Sequence, residues 1–110
     1  MANKLRVLDA ARTIVDAVNE LIETSPRKLI YESQLRDSAG SIAANIREAY
    51  GRRPGPERNV FFRYAIGSAQ ETDEHLRANF ANRRIDSKRY WQMHNRLIAI
   101  QRMLIALMEE

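Results

Sequence analysis

Fifteen arginines and two histidines are the side chains of this 110-residue chain best suited to chemistry, and one pair of them is suggestively spaced. In Arg89-Tyr-Trp-Gln-Met-His94 a guanidinium could steady a phosphate while the imidazole acts as acid or base on a ribose 2'-hydroxyl. With so many arginines that spacing arises readily by chance, and a partly packed helical histidine is the simpler explanation. Glu71 and His75 lie four apart without a twin, whereas a di-iron bundle needs paired Glu-x-x-His motifs, so no metal or cofactor is expected. The run Gly51-Arg-Arg-Pro-Gly-Pro lacks the Gly-Lys-Ser/Thr of a phosphate-binding loop, and its prolines remove amides that would cradle phosphate. It reads as a turn, and the chain as a non-enzyme.

The elements that must carry these residues are helices. At 45% apolar residues a chain of this length supports one domain, residues 1–110, with a modest core. There is no cysteine, hence no disulfide framework or thiolate metal site, which suits a reducing compartment. The opening Met-Ala-Asn-Lys-Leu-Arg has no long apolar stretch, and no segment reaches the ~18 apolar residues that span a bilayer. A cytoplasmic protein is expected.

Leu8, Ala11, Val15, Val18 and Ile22 recur at helical spacing opposite charged residues, and Leu35, Ala39, Ile42, Ile46 and Ala49 form a second stripe. Phe62, Ala65, Ala69, Leu76 and Phe80 make a third, and Tyr90, Met93, Leu97, Ile100, Leu104 and Leu107 a fourth. With Ser25-Pro26 as a helix start, Gly51 and Pro54 as a stop, Pro56 as a restart and Asp86 or Ser87 as a cap, the helices span about 4–24, 26–50, 56–82 and 87–108. Strand signals are missing. Turns this short imply an all-α, up-down-up-down antiparallel four-helix bundle. Gly40 and Gly67, inside helices, predict close helix contacts at a cost of about 1 kcal/mol each relative to Ala.

Two helices carry more apolar surface than one core needs. Val7, Ala10, Ile14, Ala17 and Leu21 form a second seam on the first, and Trp91, Ile98, Ile105 and Met108 on the fourth, which predicts self-association through Val7, Ile14, Leu21, Trp91, Ile98, Ile105 and Met108. Polar residues are striped too: Ser38, Ser41, Asn45, Glu48 and Arg52 on the second helix, Tyr64, Ser68, Glu71, His75 and Asn79 on the third. Folding about Pro54 and Gly55 pairs residues whose numbers sum to about 109, setting Ser41 near Ser68, Asn45 near Tyr64, Glu48 near Phe61 and Arg58, and Ser38 near Glu71. Such a ladder hydrogen-bonds internally and sets register.

The net charge is +4 with a pI near 9.8, which favours polyanionic partners. Arginine supplies 15 of the 18 basic residues and suits phosphate and base stacking, although 14 alanines point equally to GC-rich codon usage. In an up-down bundle the first and third connections share an end, gathering Arg27, Lys28, Arg83, Arg84, Lys88 and Arg89 against Asp86 alone. Arg52, Arg53 and Arg58 belong to the opposite end with Lys4 and Arg6, offset by Glu57, Glu109 and Glu110. A solvated surface accounts for either patch as well as nucleic acid does.

Ser-Ile-Ala-Ala-Asn-Ile-Arg-Glu-Ala-Tyr-Gly-Arg followed by Phe-Phe-Arg-Tyr-Ala-Ile-Gly-Ser-Ala-Gln-Glu resembles the four-helix-bundle proteins of 23S ribosomal-RNA intervening sequences, relatives of diversity-generating retroelement accessory proteins. The matching positions include Ser41, Asn45, Glu48, Gly51, Arg52, Gly67, Ser68 and Glu71, with a structural part implied for them. Ala43 and Ala44 stand where Pro-Ser is usual, Arg47 replaces a small residue, Ala49 a glycine and Thr72 a leucine, and without that proline the second helix is expected to run straighter. The resemblance implies a small non-enzymatic bundle, commonly a homopentameric ring, with retroelement relatives that bind nucleic acid and a reverse transcriptase.

The expected function is a homo-oligomeric RNA-binding or ribonucleoprotein accessory protein working through its basic helix ends, by backbone or shape rather than sequence. Its rivals are a protein-only assembly scaffold and a ribonuclease of the HEPN type, whose Arg-x4-His spacing Arg89 and His94 share.

Overall fold

The computed structural model describes residues 3–110. Asn3 opens helix α1 (Lys4–Thr24), its Oδ1 accepting from the Arg6 amide at 3.0 Å, one of the four donors a helix start leaves unpaired. The face α1 buries is Val7, Leu8, Ala11, Ile14, Val18 and Leu21, while Val15 and Ile22 are only half-buried. This corrects the expected interface role of Val7, Ile14 and Leu21, which are at most 2% exposed inside the subunit. A bundle helix has two neighbours and buries a face about 100° wide, so both seams of α1 serve one core. Each buried Ile or Leu of that face stabilises the fold by roughly 1.5–3 kcal/mol.

Helix α2 (Glu32–Tyr50) starts six residues later than the Ser25-Pro26 signal suggests. Ser25 instead closes α1 with extended backbone (ψ 128°), the conformation a following proline imposes. The chain then dips inward with Leu29 buried and turns at Tyr31 in the left-handed region (φ 55°). Asn79 holds this segment: its Oδ1 accepts from the Ile30 amide at 2.7 Å and its Nδ2 donates to the Ile30 carbonyl at 2.9 Å. Leu35, Ala39, Ile42, Ile46 and Ala49 are buried as expected.

Helix α3 (Pro56–Ala81) follows a turn whose Gly55 has φ 139°, which L side chains rarely adopt. Pro56 occupies its first turn, where a missing amide costs nothing. Helix α4 (Ser87–Met108) is capped by Asp86, whose Oδ1 accepts from the Arg89 amide at 2.8 Å, and it buries the six residues expected of it. Phe80, expected in the core, is half-buried at the α3–α4 turn.

Each helix packs on its chain neighbours and α1 on α4, while the diagonal pairs come no closer than 8 Å between Cα atoms among the described residues. Along α2 and α3 the partners run in opposite senses: Ser38 with Thr72, Ser41 with Ser68, Ala49 with Arg58. Along α3 and α4 they do so again, Asn59 with Met108 and Asp73 with His94. The result is an all-α, bundle-like body of 45 × 24 × 19 Å, without strands or a helix long and apolar enough to cross a membrane among the described residues. The close contacts expected at Gly40 and Gly67 are not formed: both face outward, and an added Cβ would have nothing within 4 Å.

Candidate nucleic-acid interface

The segment after α1 and the turn before α4 meet at one end of the body. Arg84 Nη1 donates to the Lys28 carbonyl, and Arg89 Nη1 donates to Thr24 Oγ1 at 3.3 Å, tying α4 and its preceding turn to the end of α1. The sequence reading placed Arg27, Lys28, Arg83, Arg84, Lys88 and Arg89 together, and these contacts join the two connections that carry them. Arg27, Lys28, Arg83 and Lys88 are exposed and form no ion pair among the described residues. Asp86 is occupied as the α4 cap, and Glu23 and Glu32 stand on the adjoining ends of α1 and α2. A groove of about 440 Å³ crosses this end, and its walls include Pro26, Phe80, Arg83, Arg84, Asp86 and Arg89. Arg84 Nε is buried there without a hydrogen-bond partner.

At the opposite end the cations are largely committed. Arg52 Nη1 lies 3.1 Å from Glu48 Oε2 and donates to the Glu48 carbonyl at 2.7 Å, while its guanidinium sits 4.0 Å from the Phe61 ring centre. Arg58 Nε donates to the carbonyls of Ala49 and Arg52, with its head over Tyr50 at 4.5 Å. Lys4 also lies over Tyr50, at 5.5 Å. Of the two arginines placed here as nucleic-acid contacts, Arg52 is spent on the hairpin and Arg53 is exposed without an ion pair among the described residues.

Of the expected ladder, the Ser41–Ser68 rung forms. Ser68 Oγ donates to Ser41 Oγ at 2.9 Å, and Asn45 Nδ2 donates to Ser41 O at 2.9 Å and Oγ at 3.0 Å. Ser38 pairs with Thr72, not Glu71: their hydroxyls are 2.9 Å apart, and Thr72 Oγ1 is 2.7 Å from Ser68 O. Glu71 faces solvent, 3.6 Å from His75 Nε2, and Tyr64 sets its ring edge-on to Phe61 instead of meeting Asn45. Gly51 caps α2 and Gly67 is open to solvent.

Arg89 and His94 are not brought together. Five helical positions separate them by about 140°, so Arg89 turns to α1 and His94 to α3. His94 Nδ1 lies 3.0 and 3.1 Å from the Asp73 carboxylate oxygens. Tyr90 OH donates to Asp73 Oδ1 at 3.3 Å and accepts from Arg77 Nε at 3.3 Å. Burial raises the Tyr90 pKa above its usual 10, partly opposed by the Arg77 hydrogen bond, and that same bond raises Arg77. Asp73 and Arg77 were not among the residues singled out from the sequence. Their signal was a pair of i, i+4 spacings, Asp73/Arg77 on α3 and Tyr90/His94 on α4, that face each other. The cluster locks α3 to α4 and fixes the His94 ring. No group of three potential metal ligands exists among the described residues.

On α4, Trp91 is 48% and Ile105 47% exposed and Ile98 is half-buried, whereas Met108, also half-buried, packs against the core.

The fold is similar to a solved protein of unknown function from the S23 ribosomal protein family of Bacteroides thetaiotaomicron, with a TM-score of 0.88 and 22% identity, covering 97% of this chain and 98% of that one. Among curated proteins none matches. The profile of the 23S rRNA-intervening sequence proteins matches residues 3–106, nearly the whole described chain. The chain therefore belongs to the 23S rRNA-intervening sequence protein family.

Proposed function

We propose that this protein is a non-enzymatic, homo-oligomeric RNA-binding or ribonucleoprotein accessory subunit of the cytoplasm, built as an up-down-up-down bundle and assembled, as its family resemblance suggests, into a ring of five. The observation that carries the RNA reading is the basic end: four exposed cations without ion pairs among the described residues, two anchored arginines between them, and Asp86 already used as a cap. Phosphate contacts of this kind release counterions, so many weak ones sum to salt-sensitive binding, and a ring would multiply them. Nothing in the groove resembles a base-reading element, which favours recognition of backbone and shape. Ile98 and Ile105 on α4 support self-association.

Gel-shift titration against structured RNA at low and moderate salt tests this. Replacing Arg27, Lys28, Arg83 and Lys88 by Gln is expected to weaken binding at least tenfold and to flatten its salt dependence by roughly 0.7–0.9 of a log-log slope for each phosphate that is no longer neutralised. No salt-sensitive complex with the unaltered protein would overturn the reading and leave a protein-only scaffold, which Ile98 and Ile105 also favour. RNA cleavage that disappears in His94→Ala would point to a ribonuclease instead.

A further inference from the structure

We infer that the nucleic acid this end takes is an unpaired, single-stranded RNA segment, with a base stacked on Trp91 and the adjoining phosphates in the Arg83–Arg84–Arg89 groove, an inference that rests on the RNA-binding reading above. Trp91 is half exposed. Its ring meets Tyr90 at 5.1 Å, His94 at 5.2 Å and Phe80 at 6.4 Å, each at 72–82° between planes. Behind it Phe80 stacks on the buried Tyr90, 4.7 Å apart and nearly parallel, while Asp73 fixes His94 from below. An indole held by three rings loses little rotamer freedom when a base covers its open surface.

Phe80 also lines the groove of Arg83, Arg84 and Arg89, so the aromatic cluster and the guanidinium cluster share a wall. Aromatic rings beside a basic track form the usual platform for single strands, where every base has a face to stack and the backbone is neutralised alongside. A duplex keeps its base faces covered, and its A-form grooves offer a side chain edges rather than faces. Charge argues for the same occupant over a second copy of this chain. Trp91 belongs to the first turns of α4, the helix whose start lies among the unpaired cations, and burying those cations against their own copies would repel. Ile98 and Ile105 lie farther along α4, away from that end.

The chain has one tryptophan, so its fluorescence reports on this site alone. The test titrates the full chain at low salt with single-stranded RNA of about 12 nucleotides and with a duplex of the same length. The single strand is expected to quench Trp91 and bind tighter; Trp91→Ala should weaken it roughly 5- to 100-fold while leaving duplex affinity within a factor of two, and Trp91→Phe should retain most of the binding. If single strands bind without quenching and equally well to Trp91→Ala, the stacking inference fails while the RNA reading stands. If Trp91→Ala instead lowers the sedimentation coefficient, Trp91 is a subunit contact and the inference is overturned. If neither RNA binds, the RNA reading itself falls.

Discussion

Asn79 uses its carbonyl and its amide group on backbone alone: the Ile30 amide, the Ile30 carbonyl at 2.9 Å and the His75 carbonyl at 2.8 Å. Fully buried, it replaces the hydrogen bonds that the non-helical segment before α2 cannot make for itself. Asn79→Ala is expected to cost roughly 1–3 kcal/mol, read from urea unfolding, because Ile30 loses partners for both its polar groups. A loss below a few tenths would mean that water replaces the clamp. Thr72 repeats the lesson. Its hydroxyl reaches Ser38 and Ser68, so the polar ladder extends one step deeper into the α2–α3 seam. The Arg89/His94 spacing had chemical meaning only if both side chains shared a face, and the helical angle between them assigns each to a different neighbour.

Helix periodicity set the elements well and their ends less well. The apolar stripes of α2 and α4 were legible because every stripe residue is buried in the subunit. That of α1 was not resolved from the sequence, because two apolar seams compete and only the positions of α2 and α4 around it select Val7, Ile14 and Leu21. The start of α2 was missed because Ser-Pro is a good helix opening locally, and it loses here to a tertiary clamp from α3. Gly40 and Gly67 were read as contact points and are open helix surface. Gly40→Ala and Gly67→Ala should therefore each stabilise the fold by about 0.5–1 kcal/mol, seen as a rise in Tm of a few degrees. A fall in Tm with loss of assembly would show that another subunit lies against that face.

At the scale of the molecule, the two ends differ in what their cations are free to do. One end spends Arg52 and Arg58 on Glu48, backbone carbonyls and aromatic rings, whereas the other leaves Arg27, Lys28, Arg83 and Lys88 without ion pairs among the described residues. Ile98 and Ile105 on α4 supply the assembly term of the proposal, and Ile105, nearly half exposed, is its clearest probe. Ile105→Glu should lower the sedimenting mass toward the 12.8 kDa subunit with unchanged helical circular dichroism. An unaltered protein that already sediments at that mass ends the ring. Composition and periodicity by themselves determined an all-α chain with three turns, a polar ladder at the hairpin and a surplus of arginine, because these follow from local spacing and propensity. Which apolar seam is core, which arginines are spent and which ring stands open beside the groove were decided only in three dimensions. Burial and hydrogen bonding depend on the neighbours a side chain meets, and no spacing along the chain names them.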